Sequence, residues 1–243
     1  MKIEICANSY QSAINAQKAG ADRIELCSEL AVGGITPSFG LISIVKEELR
    51  LPLHVLIRPR SGNFTYSKLE FEVIKKDIVM CKKLGCEGVV TGVLNDDNTI
   101  DLERTKELVE LSKPMAFTFH RAFDWVDNPC DGLEGLIRIG VTRVLSSGQK
   151  VKAEEGISLL QKLNSMSDNR IEIMPGGGIS KENIRKFKNA GFKQIHFSAT
   201  TLFNIENEIK VSMNSKRFYD ETKLAIADIE KIREVIKIIN KNA

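Results

Sequence analysis

Histidine, tryptophan and long apolar runs are what this chain has least of. Three histidines and one tryptophan occur in 243 residues, aromatics make up 6%, and six scattered prolines build no linker. No apolar stretch approaches the roughly 20 residues of a membrane-spanning helix, and the chain opens on a strand pattern without an apolar signal core, so no membrane role is expected and the protein should stay in the cytoplasm. Neither sign of charge dominates. The 35 Lys and Arg are well mixed with 32 Asp and Glu, and the net +3 supplies no basic stripe for nucleic acid. Five cysteines, an odd number, in a chain expected inside the cell argue against a disulfide framework and leave core packing, metal binding or reactivity. Fixed-period repeats and low-complexity tracts are missing too.

The three histidines all fall on the polar parity of strand-like segments. Lys2 to Asn8 sets Glu4, Cys6 and Asn8 against Ile3 and Ile5, and Arg23 to Ser28 sets Glu25 and Cys27 against Ile24 and Leu26. His54, Arg58 and Arg60 share one parity, as do Thr118 and His120, and His196 and Ser198. A strand points alternate residues to opposite faces. Strands merely sandwiched between helices read as continuous apolar runs, so ionisable groups on one parity imply a second, polar-lined interior.

Apolar runs and breakers predict strands at Lys2–Asn8, Asp22–Cys27, Leu53–Ile57, Gly88–Leu94, Met115–His120, Val141–Leu145, Arg170–Met174 and Gln194–Phe197. The helices expected between and after them cover Tyr10–Lys18, Pro37–Leu49, Lys68–Leu84, Leu102–Leu111, Asp131–Ile139, Ala153–Met166, Lys181–Asn189 and Glu221–Asn240. Eight strand-then-helix units without a composition break predict one α/β domain over residues 1–243, a (β/α)8 TIM barrel. An open doubly wound sheet has both faces covered by helices and does not readily give polar parities. The one long irregular stretch, Ser198 to Asp220, is of the kind that is commonly functional or interfacial.

Barrel active sites form at the carboxyl ends of the strands. Cys6 and Cys27 end neighbouring strands about 4.8 Å apart, where two thiolates can bridge one soft ion such as Cu(I); the alternative is a pair of small buried hydrophobes. Cys81, Cys86 and Cys130 are expected to pack or to lie at the surface. Gly176, Gly177 and Gly178 follow the seventh strand and precede a helix, where backbone N–H groups can hold an anion with help from Ser198; a plain tight turn accounts for them equally well. His120 and Asp124, with Glu25, Arg58 and Arg60, make a mouth suited to acid–base work or to gripping an anionic substrate, against the alternative of a buried ion-pair network. Glu4 and Glu172, at mid-strand, are expected to be ion-pair partners. No lysine on the polar parity supports a Schiff-base aldolase, and no histidine pair has zinc-hydrolase spacing.

These segments, in order along nearly the whole chain, resemble the copper homeostasis protein family CutC. The resemblance is carried by Glu4 to Ser9, Gly20 to Cys27, Gly33 to Ser38, Arg58 to Phe64, Val90 to Leu94, Phe119 to Asp124, Ser146 to Gly148 and Pro175 to Gly178. It implies a single barrel, a cytoplasmic location, a homodimer and a role in copper handling, with Cys6 and Cys27 as the Cu(I) ligands. One departure is Ser146, where the family more usually has threonine. The alternative expectation is an enzyme acting on a small anionic or phosphorylated substrate at the same mouth.

Overall fold

The computed structural model describes residues 1–206, 209–213 and 220–241. Its elements, in chain order, are β1 (Lys2–Ala7), α1 (Tyr10–Ala19), β2 (Arg23–Leu26), α2 (Phe39–Glu48), β3 (Leu53–Leu56), α3 (Lys68–Lys83), β4 (Gly88–Thr91), α4 (Leu102–Ser112), β5 (Ala116–Phe119), α5 (Pro129–Arg138), β6 (Arg143–Ser146), α6 (Ile157–Ser167), β7 (Glu172–Pro175), α7 (Ile184–Asn189), β8 (Gln194–Phe197), β9 (Thr200–Asn204), β10 (Lys223–Ala227) and α8 (Ile229–Asn240). Helix starts follow from local chemistry. Ser9, Ser38, Asp101, Asn128 and Asp228 each accept a first-turn N–H, and Ser67 with Glu70 forms a reciprocal capping box.

Hydrogen bonds order the eight-stranded sheet as β7-β6-β5-β4-β3-β2-β1-β8, all parallel. A parallel bridge from Gly176 to His196 brings the last strands together, so the sheet wraps into a nearly closed barrel. The strand alternation then separates two interiors. Ile5, Ile24, Val55, Val89, Val144, Ile173 and Ile195 face outward into the main core beneath the helices and are fully buried. The opposite parity fills the barrel with Glu4, Arg23, Glu25, His54, Thr118, Arg143 and His196, all buried. Gly88 faces His54 across the β3–β4 register, and a Cβ there would stand 2.6 Å from the imidazole, so a glycine makes room for the ring.

Three expectations need correction. The helix foreseen over Glu221–Asn240 is split: Lys223–Ala227 is β10, paired antiparallel with β9, and α8 begins only at Ile229. Asp228 marks the break, because its carboxylate accepts the N–H groups of Glu230 and Lys231 while its own N–H donates to Ala199 O. The Ser198 to Asp220 stretch is therefore not wholly irregular, since β9 lies within it; residues 207–208 and 214–219 of it fall outside the described residues. The sixth helix also starts later than expected, at Ile157 instead of Ala153. None of the described helices is long and apolar enough to cross a membrane.

Candidate functional site

The bottom of the barrel interior is a closed ion-pair network. Glu4 receives Arg23 Nε at 2.5 Å and His196 Nδ1 at 2.8 Å, with His54 Nδ1 at 3.9 Å. Arg23 also donates to Gln194 Oε1 at 2.8 Å, and Arg143 reaches the same amide at 3.1 Å and Thr118 Oγ1 at 2.8 Å. These contacts hold the Glu4 carboxyl well below the usual carboxylate range despite its burial. Glu4 is thus an ion-pair partner, as its mid-strand position suggested.

Above this layer the two N-terminal cysteines meet. The register sets Cys6 opposite Glu25, so Cys27 stands one inward step further on, just past the end of β2, and the two sulfurs lie 3.6 Å apart. Leu56, Val90 and the partly buried Leu30 pack around them in a small apolar cluster inside the barrel. Contact with Cys27, together with burial, pushes the Cys6 thiol up. Glu25 lies beside Cys6 with one oxygen, Oε2, lacking any hydrogen bond and 3.5 Å from His196 Nδ1. Burial pushes its carboxyl up to about 7. His196 is shifted upward, because the pull of Glu25, Cys6 and Glu4 outweighs a burial effect that acts the other way.

A cavity of about 440 Å³ opens over this layer at the carboxyl ends of the strands, lined among others by Cys6, Glu25, Arg58, His120, Gly177 and His196. His120 is fixed by the turn that follows it: its Nδ1 accepts the Ala122 N–H at 3.2 Å, which leaves Nε2 as the protonated, donating nitrogen, and Nε2 has no partner. Burial first, and the nearby Arg58 charge second, push its pKa down to about 3, so the ring is a neutral N–H donor at neutral pH. Phe64 packs edge-on against it, with ring centroids 4.9 Å apart.

The other candidates have been recruited by the loops. Arg58 spends its terminal nitrogens on the carbonyls of Val32, Gly34 and Gly62 at 2.8–2.9 Å, which leaves only Nε unbonded at the cavity wall. Arg60 turns away from the cavity, pairs with Glu70 at 2.5 Å and donates to Thr65 O. The expectation that it grips an anion there is corrected by that outward pairing. Asp124 accepts from Ser146 Oγ, Ser147 N, Gln149 N and Arg121 Nε at 2.6–3.2 Å, and so braces the loop after β6. Glu25, Arg58, His120 and Asp124 therefore share one cavity without forming one hydrogen-bonded cluster. In the glycine loop, Gly176 N donates to Ser146 O, whereas the N–H groups of Gly177 and Gly178 have no hydrogen bond among the described residues. Ser198 lines the same cavity.

The CutC family model matches residues 1–201. The chain belongs to the CutC family. The human copper homeostasis protein cutC homolog is 41% identical over 244 residues, covering 99% of this chain and 89% of the human protein. The CutC protein of Photorhabdus laumondii is 47% identical over 201 residues, covering 83% of this chain and 81% of its own. The crystal structure of CutC from Streptococcus agalactiae superposes with a TM-score of 0.78 at 34% identity, covering 82% of this chain and 98% of that one. The family match ends at residue 201, inside β9, so it spans all eight barrel strands and the whole cavity floor.

His196 is the residue at the centre of this site that sequence reasoning left out of its candidates. Its signal was present, since it shares the polar parity of β8 with Ser198. What was missing was the knowledge that barrel closure brings β8 against β1, where register sets His196 opposite Glu4.

Proposed function

We propose that this protein is a CutC-type copper homeostasis protein that binds Cu(I) between Cys6 and Cys27 at the floor of the barrel mouth. The supporting observation is the 3.6 Å sulfur–sulfur distance inside an otherwise apolar cluster. Thiolates are soft donors, and a two-thiolate site suits a soft monovalent ion. With metal–sulfur bonds of about 2.3 Å the present spacing subtends an angle near 100°, and a rotation of either side chain opens it toward linearity. Each thiol must lose its proton on binding, so uptake releases protons and strengthens as pH rises. Cytoplasmic residence belongs to the same reading, as does a homodimer. The β9–β10 hairpin, with Leu202, Phe203 and Leu224 exposed, is the surface such a dimer would bury, and the mass in solution by sedimentation tests it.

Cys6→Ser and Cys27→Ser should each weaken Cu(I) binding by more than about a hundredfold, beyond the 10–100-fold that a change behind the ligands costs. Competition against a chromogenic Cu(I) chelator under anaerobic conditions measures it. Wild-type affinity in both variants removes the site.

A second reading, an enzyme acting on a small anionic or phosphorylated compound, is favoured by a different observation. His120, Gly177 and Gly178 line one cavity, and the His120 Nε2–H and the two glycine N–H groups have no acceptor among the described residues. Donors of this kind match the oxygens of a phosphate or carboxylate. Phosphate at millimolar concentration should shift the amide resonances of Gly177 and Gly178 in a saturable way, and His120→Phe should weaken that binding about tenfold, by the loss of one charge-assisted hydrogen bond. Shifts spread evenly over the surface, or none at the loop, would count against this reading.

A further inference from the structure

Besides Cys27, Cys6 has two further donors as neighbours. Cys6 Sγ, a Glu25 carboxylate oxygen and a His196 ring nitrogen all lie within 4.8 Å of one another, and all three residues are buried. No other group of this kind is found among the described residues. We propose that Cys6, Glu25 and His196 form a mononuclear divalent-metal site of the zinc type, open to the cavity at its fourth position.

Three independent features support the site. The donor set comes first: one thiolate, one imidazole and one carboxylate form a borderline set that suits Zn²⁺, in contrast to the all-sulfur pair that suits Cu(I). The orientation of the histidine comes second. Glu4 Oε1 holds His196 Nδ1 at 2.8 Å, and Glu4 is itself held by Arg23, so Nδ1 keeps its proton and Nε2 is the ring nitrogen that releases its proton to take a metal. A carboxylate behind a histidine is the usual outer-shell arrangement of a metal-bound imidazole. Third, Glu25 Oε2 is 4% exposed at the residue level, lines the cavity and has no hydrogen-bond partner, which is costly for a buried carboxylate unless an ion completes it.

Ligand atoms around a tetrahedral zinc stand roughly 3.3–3.8 Å apart, given bonds of about 2.0–2.3 Å. The present limit of 4.8 Å therefore closes by about an ångström of side-chain rotation. Three protein ligands with an open fourth position are the arrangement of exchangeable, substrate-accessible zinc, whereas structural sites use four. The fourth ligand comes from the cavity, as water or as an oxygen of a small anionic compound, within the same enclosure as the His120 N–H donor. Cys6 is shared between this site and the copper pair, so the two ions compete, yet the zinc-type site does not depend on the copper reading.

The test uses the full chain, stripped of metal and kept reduced, titrated with Co²⁺ as an optical stand-in and then with Zn²⁺. One equivalent should bind, with tetrahedral ligand-field bands and the near-ultraviolet absorption of a single thiolate, and Zn²⁺ should bleach both. Glu25→Gln should weaken Zn²⁺ at least tenfold while Cu(I) binding persists; Cys27→Ser should do the reverse. Failure to take up a stoichiometric ion overturns the proposal, as does a two-thiolate spectrum that vanishes in Cys27→Ser. Full Zn²⁺ affinity in Glu25→Gln overturns it as well. The wild-type cobalt spectrum decides the thiolate count by itself, so a poorly folded variant leaves the outcome readable. Loss of Cu(I) binding alone, with the cobalt site intact, sinks only the copper reading.

Discussion

Glu4→Ala is expected to remove 3–5 kcal/mol of folding stability, on the order of the cost of stripping one partner from a buried ion pair. Domains of this kind hold about 5–15 kcal/mol in total, so the variant should melt far below the wild type or fail to accumulate. The cause is what the substitution leaves behind. Arg23 and His196 lose their carboxylate in a region where both side chains are largely buried, and Arg23 keeps only Gln194 and the Met174 sulfur. Glu25→Gln makes the internal contrast: one of its oxygens has no hydrogen bond, and its burial already favours the protonated form. That variant should lie within about 1 kcal/mol of the wild type, or above it, as substitutions at binding sites often do. Urea denaturation of both proteins at pH 7 checks the pair. Near-equal stability losses would mean that Glu25 is as much part of the scaffold as Glu4.

Acidification from pH 6.5 to 4 should cost the barrel about 3–4 kcal/mol, with two histidines responsible. His54 and His120 have folded pKa values pushed down to about 3 from 6.5, burial being the first cause in each. The unfolded chain therefore takes up protons that the folded one refuses. The stability these two rings contribute is complete above pH 6.5 and is lost as pH falls toward 3. At about 1.36 kcal/mol per pH unit and group, the descent to pH 4 removes up to roughly 7 kcal/mol. Glu25 acts oppositely. Raised from 4.5 to about 7, it is protonated earlier in the folded state, and it returns up to about 3 kcal/mol over the same interval. His196, raised above 6.5, contributes fully throughout this window, and Glu4, lowered from 4.5, begins to lose its contribution only below that value. Unfolding free energies at pH 7, 5.5 and 4 measure the slope, which should flatten in a His54→Gln, His120→Gln double variant. An unchanged slope in that variant would assign the acid sensitivity elsewhere.

Much of the scaffold was legible because strand alternation is a local property. Ile3 and Ile5 against Glu4 and Cys6, or Ile24 and Leu26 against Glu25 and Cys27, announce two differently filled faces before any contact is known, and only a closed barrel gives the polar face an interior of its own. The same periodicity placed all three histidines inside. It was less reliable after β8, where Lys223 to Ala227 carries apolar residues that fit a helix as readily as a strand. Pairing with β9, a partner about twenty residues away, decided for the strand.

The sequence by itself determined the eight-unit barrel, its polar interior and the family, since each rests on patterns repeated along the chain. Tertiary structure alone decided what each polar residue does, because the partner that satisfies a buried charge is chosen by spatial proximity after closure. Arg23 meets Met174, 151 positions away, and His196 meets Glu4, 192 positions away. Arg58 and Asp124 read as substrate contacts in the sequence, whereas in the fold loop carbonyls take both terminal nitrogens of Arg58 and leave only Nε, and serines and Arg121 surround Asp124. His120 and Glu25 stood out by the reverse outcome: closure buried Nε2 of one and Oε2 of the other without giving either a partner. A buried polar atom left unpaired costs free energy that the rest of the fold must offset, so only the assembled structure could single out those two residues, with Arg58 Nε beside them, as unsatisfied groups around the cavity.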